Sequence, residues 1–281
     1  MKILADVLSL EPLADGRFRA GTPHGEERRI FGGQLIAQAV VAAARTTDKA
    51  HCNSLHAYFV AAGDLKRPLI LDVARVRDGR SFAARQVEVT QEDRLVFSAA
   101  LSFHGGDPGP AHQVDMPDVP APETLEDQRE VRRRNAAAKG GTGKAFSAEQ
   151  MIDARPVEQP VGRERGIEGR RCLWFRSRAP LGEDAVLHQA AIAYASDMGL
   201  VHVGLRPHME LGDGAPLDTA SLDHAIWFHR PARADQWLLH VERSPIAADG
   251  RGLSFGTIYT RDGELVASVA QEILVRWKAG G

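Results

Sequence analysis

Two stretches of the chain carry apolar side chains on almost every helical face, FGGQLIAQAVVAAAR at 31–45 and LHQAAIAYASDMGL at 187–200. A surface helix shows one apolar stripe and one polar face, so helices of this kind belong inside other structure. Each is followed by a strand-like segment, NSLHAYF at 53–59 and SLDHAIWFHR at 221–230. Further on, each copy continues as turn, strand, polar turn and strand, DGRSFAARQVEVTQEDRLVFSAALSF at 78–103 and DGRGLSFGTIYTRDGELVASVAQEIL at 249–274. One order of elements used twice predicts a duplication, and two copies are too few for a solenoid. The pattern predicts an α+β fold of two tandem units, 1–106 and 151–281, each a central helix wrapped by a curved antiparallel sheet. The proline-, alanine- and glycine-rich stretch 107–150 between them reads as a solvated linker.

Comparing the copies exposes polar residues where apolar ones belong. Alternation along the last strand places Leu95, Phe97, Ala99, Leu101 and Phe103 on one face of the first copy. In the second copy Leu265, Ala267, Val269, Gln271, Ile273 and Val275 fall together, so Gln271 stands where the first copy has Leu101. Burying that amide without partners costs about 1–3 kcal/mol, so other polar groups are expected to meet it. Matching Gln34 with Gln189 likewise sets Asp197 opposite Ala42. A carboxylate in the last turn of a helix opposes the negative end of its macrodipole and needs compensation from elsewhere. Ser221, where the next strand begins, adds a hydroxyl to the same half.

These residues lie in runs that closely resemble the acyl-CoA thioesterase II family: YASDMGLV at 194–201, SLDHAIWFHRP at 221–231 and VASVAQE at 266–272. FGGQLIAQAV, LHAYFVAAGD and RVRDGRSFAARQVEV are similar to that family's N-terminal unit, so the likeness covers most of the chain outside the linker. The resemblance implies a double hotdog fold and hydrolysis of acyl-CoA without a cofactor. It also implies a water-activating catalytic site at Asp197, Ser221 and Gln271, with Ser221 replacing the threonine of some members. Asp197 would act as general base, or would attack the carbonyl itself and form a mixed anhydride; both routes stay open on sequence. Homo-oligomers are a further expectation from this family. The competing functions are a hotdog enoyl-CoA hydratase, which needs a histidine paired with the aspartate, and a non-catalytic acyl-CoA-binding protein.

Composition narrows the partners. Over 281 residues, 35 basic and 37 acidic side chains leave a net charge of −2, which gives no overall attraction to nucleic acid or an anionic membrane. No run of about 18 apolar residues occurs, so no membrane span is predicted. Two cysteines, Cys52 and Cys172, fit neither a disulfide framework nor a metal-ligand spacing, and with no export signal visible in MKILADVLSL the expected location is the cytoplasm. Neither metal nor cofactor is predicted.

Several motifs are set aside on context. GLSFG at 252–256 matches a nucleophile elbow centred on Ser254, but a hairpin follows it where that motif needs a helix. GGTGK at 140–144 lacks the spacing of a phosphate loop, and the basic residues Arg132 to Arg134, Lys139 and Lys144 read as a solvated face. His56 and His224 are read as corresponding core histidines of the two copies, with His56 a secondary site candidate, and Cys52 is expected to be inert.

Overall fold

The computed structural model describes residues 3–21, 29–49, 51–138, 147–157, 170–211 and 217–278. The first half contains helix α1 (Leu4–Leu8), strands β1 (Leu10–Ala14) and β2 (Arg17–Ala20), helix α2 (Gly32–Ala44), and strands β3 (His51–Phe59), β4 (Leu69–Asp78), β5 (Phe82–Gln91) and β6 (Arg94–His104). Helices α3 (Gln128–Ala138) and α4 (Ser147–Met151) lead to β7 (Ile152–Val157), β8 (Arg171–Ser177), α5 (Ala185–Ser196) and α6 (Leu200–Leu205). Strands β9 (Leu217–Ser221), β10 (Asp223–Phe228), β11 (Leu238–Ala248), β12 (Arg251–Thr260) and β13 (Leu265–Trp277) complete the second half. One continuous sheet runs β1-β2-β4-β5-β6-β3-β10-β13-β12-β11-β8-β7, with β9 beside β13. This is the double hotdog architecture: two curved antiparallel halves joined edge to edge, each around its own helix.

The antiparallel seam between β3 and β10 joins the halves and pairs Ala57 with His224 and His56 with Ala225. Across it the two central helices pack against each other. Helix α2 is buried on every side from Gly33 to Ala43, and α5 from Ala190 to Ser196, as their all-round apolar sequences require. The helix expected over 187–200 stops at Ser196 and resumes as α6 because Gly199 takes a left-handed φ of 105°. A side chain there would collide with the Arg171 guanidinium and the Glu242 carboxylate, a buried ion pair 2.8 Å apart.

The stretch between the halves differs from a solvated tether. Met116, Val119 and Leu125 lie on an outer cluster of Trp174, Trp237, Leu239 and Tyr259, and the Trp174 indole N–H donates to the Pro120 carbonyl at 2.9 Å. The segment is a strap that keeps water from aromatic surface which the sheet alone leaves open. Arg132, Arg133 and Arg134 sit on α3 and pair with Glu149, Glu130 and Glu126, so their charge is compensated within the protein. GGTGK, Lys139 and Lys144 fall outside the described residues.

Candidate active site

Asp197 caps the C-terminal end of α5, where its own helix offers the carboxylate only unfavourable carbonyl charge. The compensation comes from the other half: the Gly33 N–H, in the first turn of α2, donates to Asp197 Oδ2 at 2.9 Å. The carboxylate of the second half therefore rests on the positive end of the first half's helix. Two glycines make the approach possible. A Cβ on Gly32 would lie 2.8 Å from Asp197 Oδ2 and from the Phe59 ring, and one on Gly33 would overlap the Tyr194 carbonyl oxygen. Phe31, stacked edge-on against Tyr194 at 5.1 Å, adds to the apolar wall, and Asp197 is only 7% exposed. Burial raises the Asp197 pKa to about 7, against the opposing hydrogen bonds from Gly33, Gln271 and Ser221.

Ser221 and Gln271 meet the same carboxylate. Gln271 Nε2 donates to Ser221 Oγ at 2.9 Å, and Ser221 Oγ donates to Asp197 Oδ1 at a longer 3.4 Å. The structure thus brings together all three residues singled out in the sequence. Ser221 does not open a strand, however; it ends β9, and the chain breaks step before β10. Pairing with β13 runs Ser221 to Ile273 but Ala225 to Ala270, so one extra residue is accommodated between them. This bulge re-aims the strand. Ser221 and His224, three residues apart, would point to opposite faces of a regular strand, yet both turn inward to Gln271.

His224 is the buried core histidine expected from the sequence, and it joins the same chain of hydrogen bonds. Its Nδ1 lies 2.6 Å from Gln271 Oε1, and its Nε2 lies 2.9 Å from Ser196 Oγ on α5. Burial lowers its pKa to about 4, so the ring is neutral near pH 7. His56 is not its counterpart. His56 pairs with Ala225, one residue out of register, and a slip of one residue places it on the exposed outer face. Leu55, which pairs with Leu101 in the first half, occupies the matching inward place, and Cys52 takes that of Ser221. A bulge between Cys52 and Ser54 repeats the one beside Ser221.

The other candidates have structural roles. Ser254 stands opposite Gln271 in the sheet, but its hydroxyl proton is committed to the Leu200 carbonyl at 2.8 Å, so it holds α6 against the sheet. Cys52 is buried with its thiol on the Ser54 carbonyl, and burial pushes its pKa up to about 12, so no thiolate forms near neutral pH. Among the described residues no three His, Cys, Asp or Glu side chains gather as metal ligands, and no helix is long and apolar enough to cross a membrane.

The acyl-CoA thioesterase family model matches residues 146–274, and the model of the acyl-CoA thioesterase N-terminal domain matches residues 21–104. Human acyl-coenzyme A thioesterase 8 is 37% identical over 98% of this chain and 89% of its own length. Acyl-CoA thioesterase 2 of Haemophilus influenzae is 34% identical over 98% of this chain and 97% of its own. Among solved structures, an acyl-CoA thioesterase II from Mycobacterium marinum superposes with a TM-score of 0.83 at 37% identity, covering 99% of this chain and 100% of that one. A hot dog protein from Alicyclobacillus acidocaldarius, at 19% identity and a TM-score of 0.76 over 98% of both chains, shares the fold. With the duplicated helix-and-sheet unit and family matches in both halves, the chain belongs to the acyl-CoA thioesterase family.

Proposed function

We propose that this thioesterase hydrolyses acyl-CoA to a free carboxylic acid and CoA by direct attack of a water held at Asp197, Ser221 and Gln271. The observation that carries this reading is the buried carboxylate at the meeting point of the α2 N-terminus, the Ser221 hydroxyl and the Gln271 amide. Ionised Asp197 takes one proton from the water as its oxygen adds to the thioester carbonyl. The tetrahedral intermediate expels the CoA thiolate by breaking the C–S bond, and Asp197 returns the proton to that sulfur. The positive end of α2 favours the oxyanion developing beside it. Phe31 and Phe59 offer apolar surface for the acyl chain next to the carboxylate.

The aspartate is better arranged as base than as nucleophile, because both its oxygens already accept hydrogen bonds in a closed setting. One turnover in heavy-oxygen water is expected to label only the released acid. Label in the Asp197 carboxylate would overturn the direct route in favour of an anhydride. A hydratase is disfavoured because His224 faces Gln271 and not Asp197. Free-thiol release from a series of short to long acyl-CoAs tests the activity itself, and a folded protein releasing none would leave only the binding reading.

The pH dependence follows from the carboxylate. Asp197 must be ionised to accept a proton, and burial has raised its pKa to about 7. Plotted against pH, kcat/KM is expected to climb through about 7 and level off above it, whereas an unshifted carboxylate would already be saturated by pH 6. A flat profile between pH 5 and 8 would remove Asp197 as the base.

A further inference from the structure

Counting protons along the buried chain behind the carboxylate gives His224 a role. Ser221 has a single hydroxyl proton, and an ionised Asp197 needs it at Oδ1. Ser221 Oγ must then accept from Gln271, which turns the amide nitrogen toward it at 2.9 Å. Gln271 Oε1 consequently faces His224, and at 2.6 Å the imidazole Nδ1 has to be the donor. A neutral ring with its proton on Nδ1 has a bare Nε2, which needs a donor in turn. Ser196 supplies it from 2.9 Å, giving up the Ala193 carbonyl that lies equally near as an alternative acceptor.

The same atoms admit one other self-consistent polarity. With its proton on Nε2, His224 would donate to Ser196, which would donate to Ala193. Nδ1 would then accept from a flipped Gln271 amide, and the amide oxygen would draw the Ser221 proton away from Asp197. That state deprives the base of a donor and turns the end of the amide that faces Ser221 into an acceptor. The two polarities differ by a 180° amide flip and by which imidazole nitrogen carries the proton, so fixing the tautomer fixes the amide.

We infer that His224, held as the Nδ1–H tautomer by Ser196, is a positioning residue that locks Gln271 with its NH₂ toward Ser221 and Asp197. It touches no reacting atom and acts only through Gln271. Deep burial keeps the ring neutral near pH 7, in keeping with a single ring proton whose place is decided by its neighbours. The first half lacks the device: fully buried Leu55 and Leu101 fill the places of His224 and Gln271.

The inference rests on the proposed Asp197, Ser221 and Gln271 site, and the test separates the two. His224→Leu, the residue that the first half accommodates at this place, is expected to lower kcat roughly ten- to a hundredfold with KM within about twofold, the scale of one or two hydrogen bonds. His224→Asn, which keeps an N–H near the Nδ1 position, is expected to restore most of that loss. In a Gln271→Leu background the His224→Leu change should cost nothing more, because the amide it positions is gone. Nitrogen-15 spectra of the wild-type imidazole should show the Nδ1–H tautomer at neutral pH. If His224→Leu does not fold, Ser196→Ala takes its place and is expected to reduce kcat about three- to tenfold, again only when Gln271 is present. Wild-type kcat in the folded single variants, losses that multiply independently in the Gln271→Leu background, or an Nε2–H tautomer would overturn the positioning role. If Gln271→Leu itself keeps full activity, the proposed site falls and the positioning role falls with it. An impaired Gln271→Leu beside a fully active His224→Leu refutes only the role of His224.

Discussion

Asp197→Asn is expected to lower kcat for acyl-CoA hydrolysis roughly a hundred- to ten-thousand-fold, the range for losing a positioned general base, and at the same time to stabilise the protein above pH 7. The amide keeps the shape of the side chain and can still accept from Gly33, but it cannot take the proton of the attacking water. The gain in stability follows from the sign of the pKa shift. Folding raises the Asp197 pKa from 3.8 to about 7, so between those values the native state binds more protons than the unfolded chain. Stability therefore falls as pH rises through this window, and above about 7 the full cost of an ionised buried carboxylate is present. About three pH units correspond to a cost on the order of 4 kcal/mol, part of which the neutral asparagine avoids. Urea unfolding at about pH 4.5 and pH 8.5 checks this, because the variant should gain much more over the wild type at the higher pH. Equal stability at both would mean that the carboxylate is not desolvated, and undiminished thiol release would exclude it as the base.

Gly33→Ala is expected to remove activity and stability together. Alanine exceeds glycine in helix propensity by about 1 kcal/mol, so a local argument predicts a more stable helix. The packing argument has the opposite sign and the greater size. The added methyl overlaps the Tyr194 carbonyl oxygen and the Phe31 ring, and a carbonyl in the neighbouring helix cannot move aside as a flexible side chain can. Overpacking of this kind costs about 1–3 kcal/mol or more, a fall of roughly 3–10 °C in Tm for a protein of this size. Relief requires α2 to withdraw from α5, which carries the Gly33 N–H away from Asp197 and takes the helix end out of the site. Gly109→Ala, at a position with no atom within 4 Å, should leave both Tm and kcat unchanged. A thermal melt and a thiol-release assay on the two variants decide the matter. A Gly33→Ala protein with wild-type Tm would mean that the helices do not approach as closely as described.

The duplication leaves a record of what distinguishes the two halves. Ala42, Cys52, Leu55 and Leu101 in the first stand where the second has Asp197, Ser221, His224 and Gln271. Two of these replacements were legible by matching helices and last strands, because period and alternation carry over from one copy to the other. Ser221 drew attention only as a hydroxyl near them and through the family likeness. His224 is the buried histidine that the sequence predicts, but its correspondence with His56 fails for a definite reason. Matching it with His56 is off by one residue, and along a strand one residue exchanges the core for the surface.

The sequence by itself determined that a helix-and-sheet unit occurs twice, that its helices are enclosed, and that the second copy carries Asp197 and Gln271 where the first has Ala42 and Leu101. Each of these follows from short-range regularities, the 3.6-residue and 2-residue periods that burial imposes on a chain. Only the tertiary structure decided that a bulge turns Ser221 and His224 to the same face, and that the strap covers the outer aromatic cluster. It alone decided that Asp197 is held by Gly33, 164 positions away in the other half. A hydrogen bond between the ends of two helices depends on how whole sheets pair across a seam, and no local pattern of apolar and polar residues encodes that register.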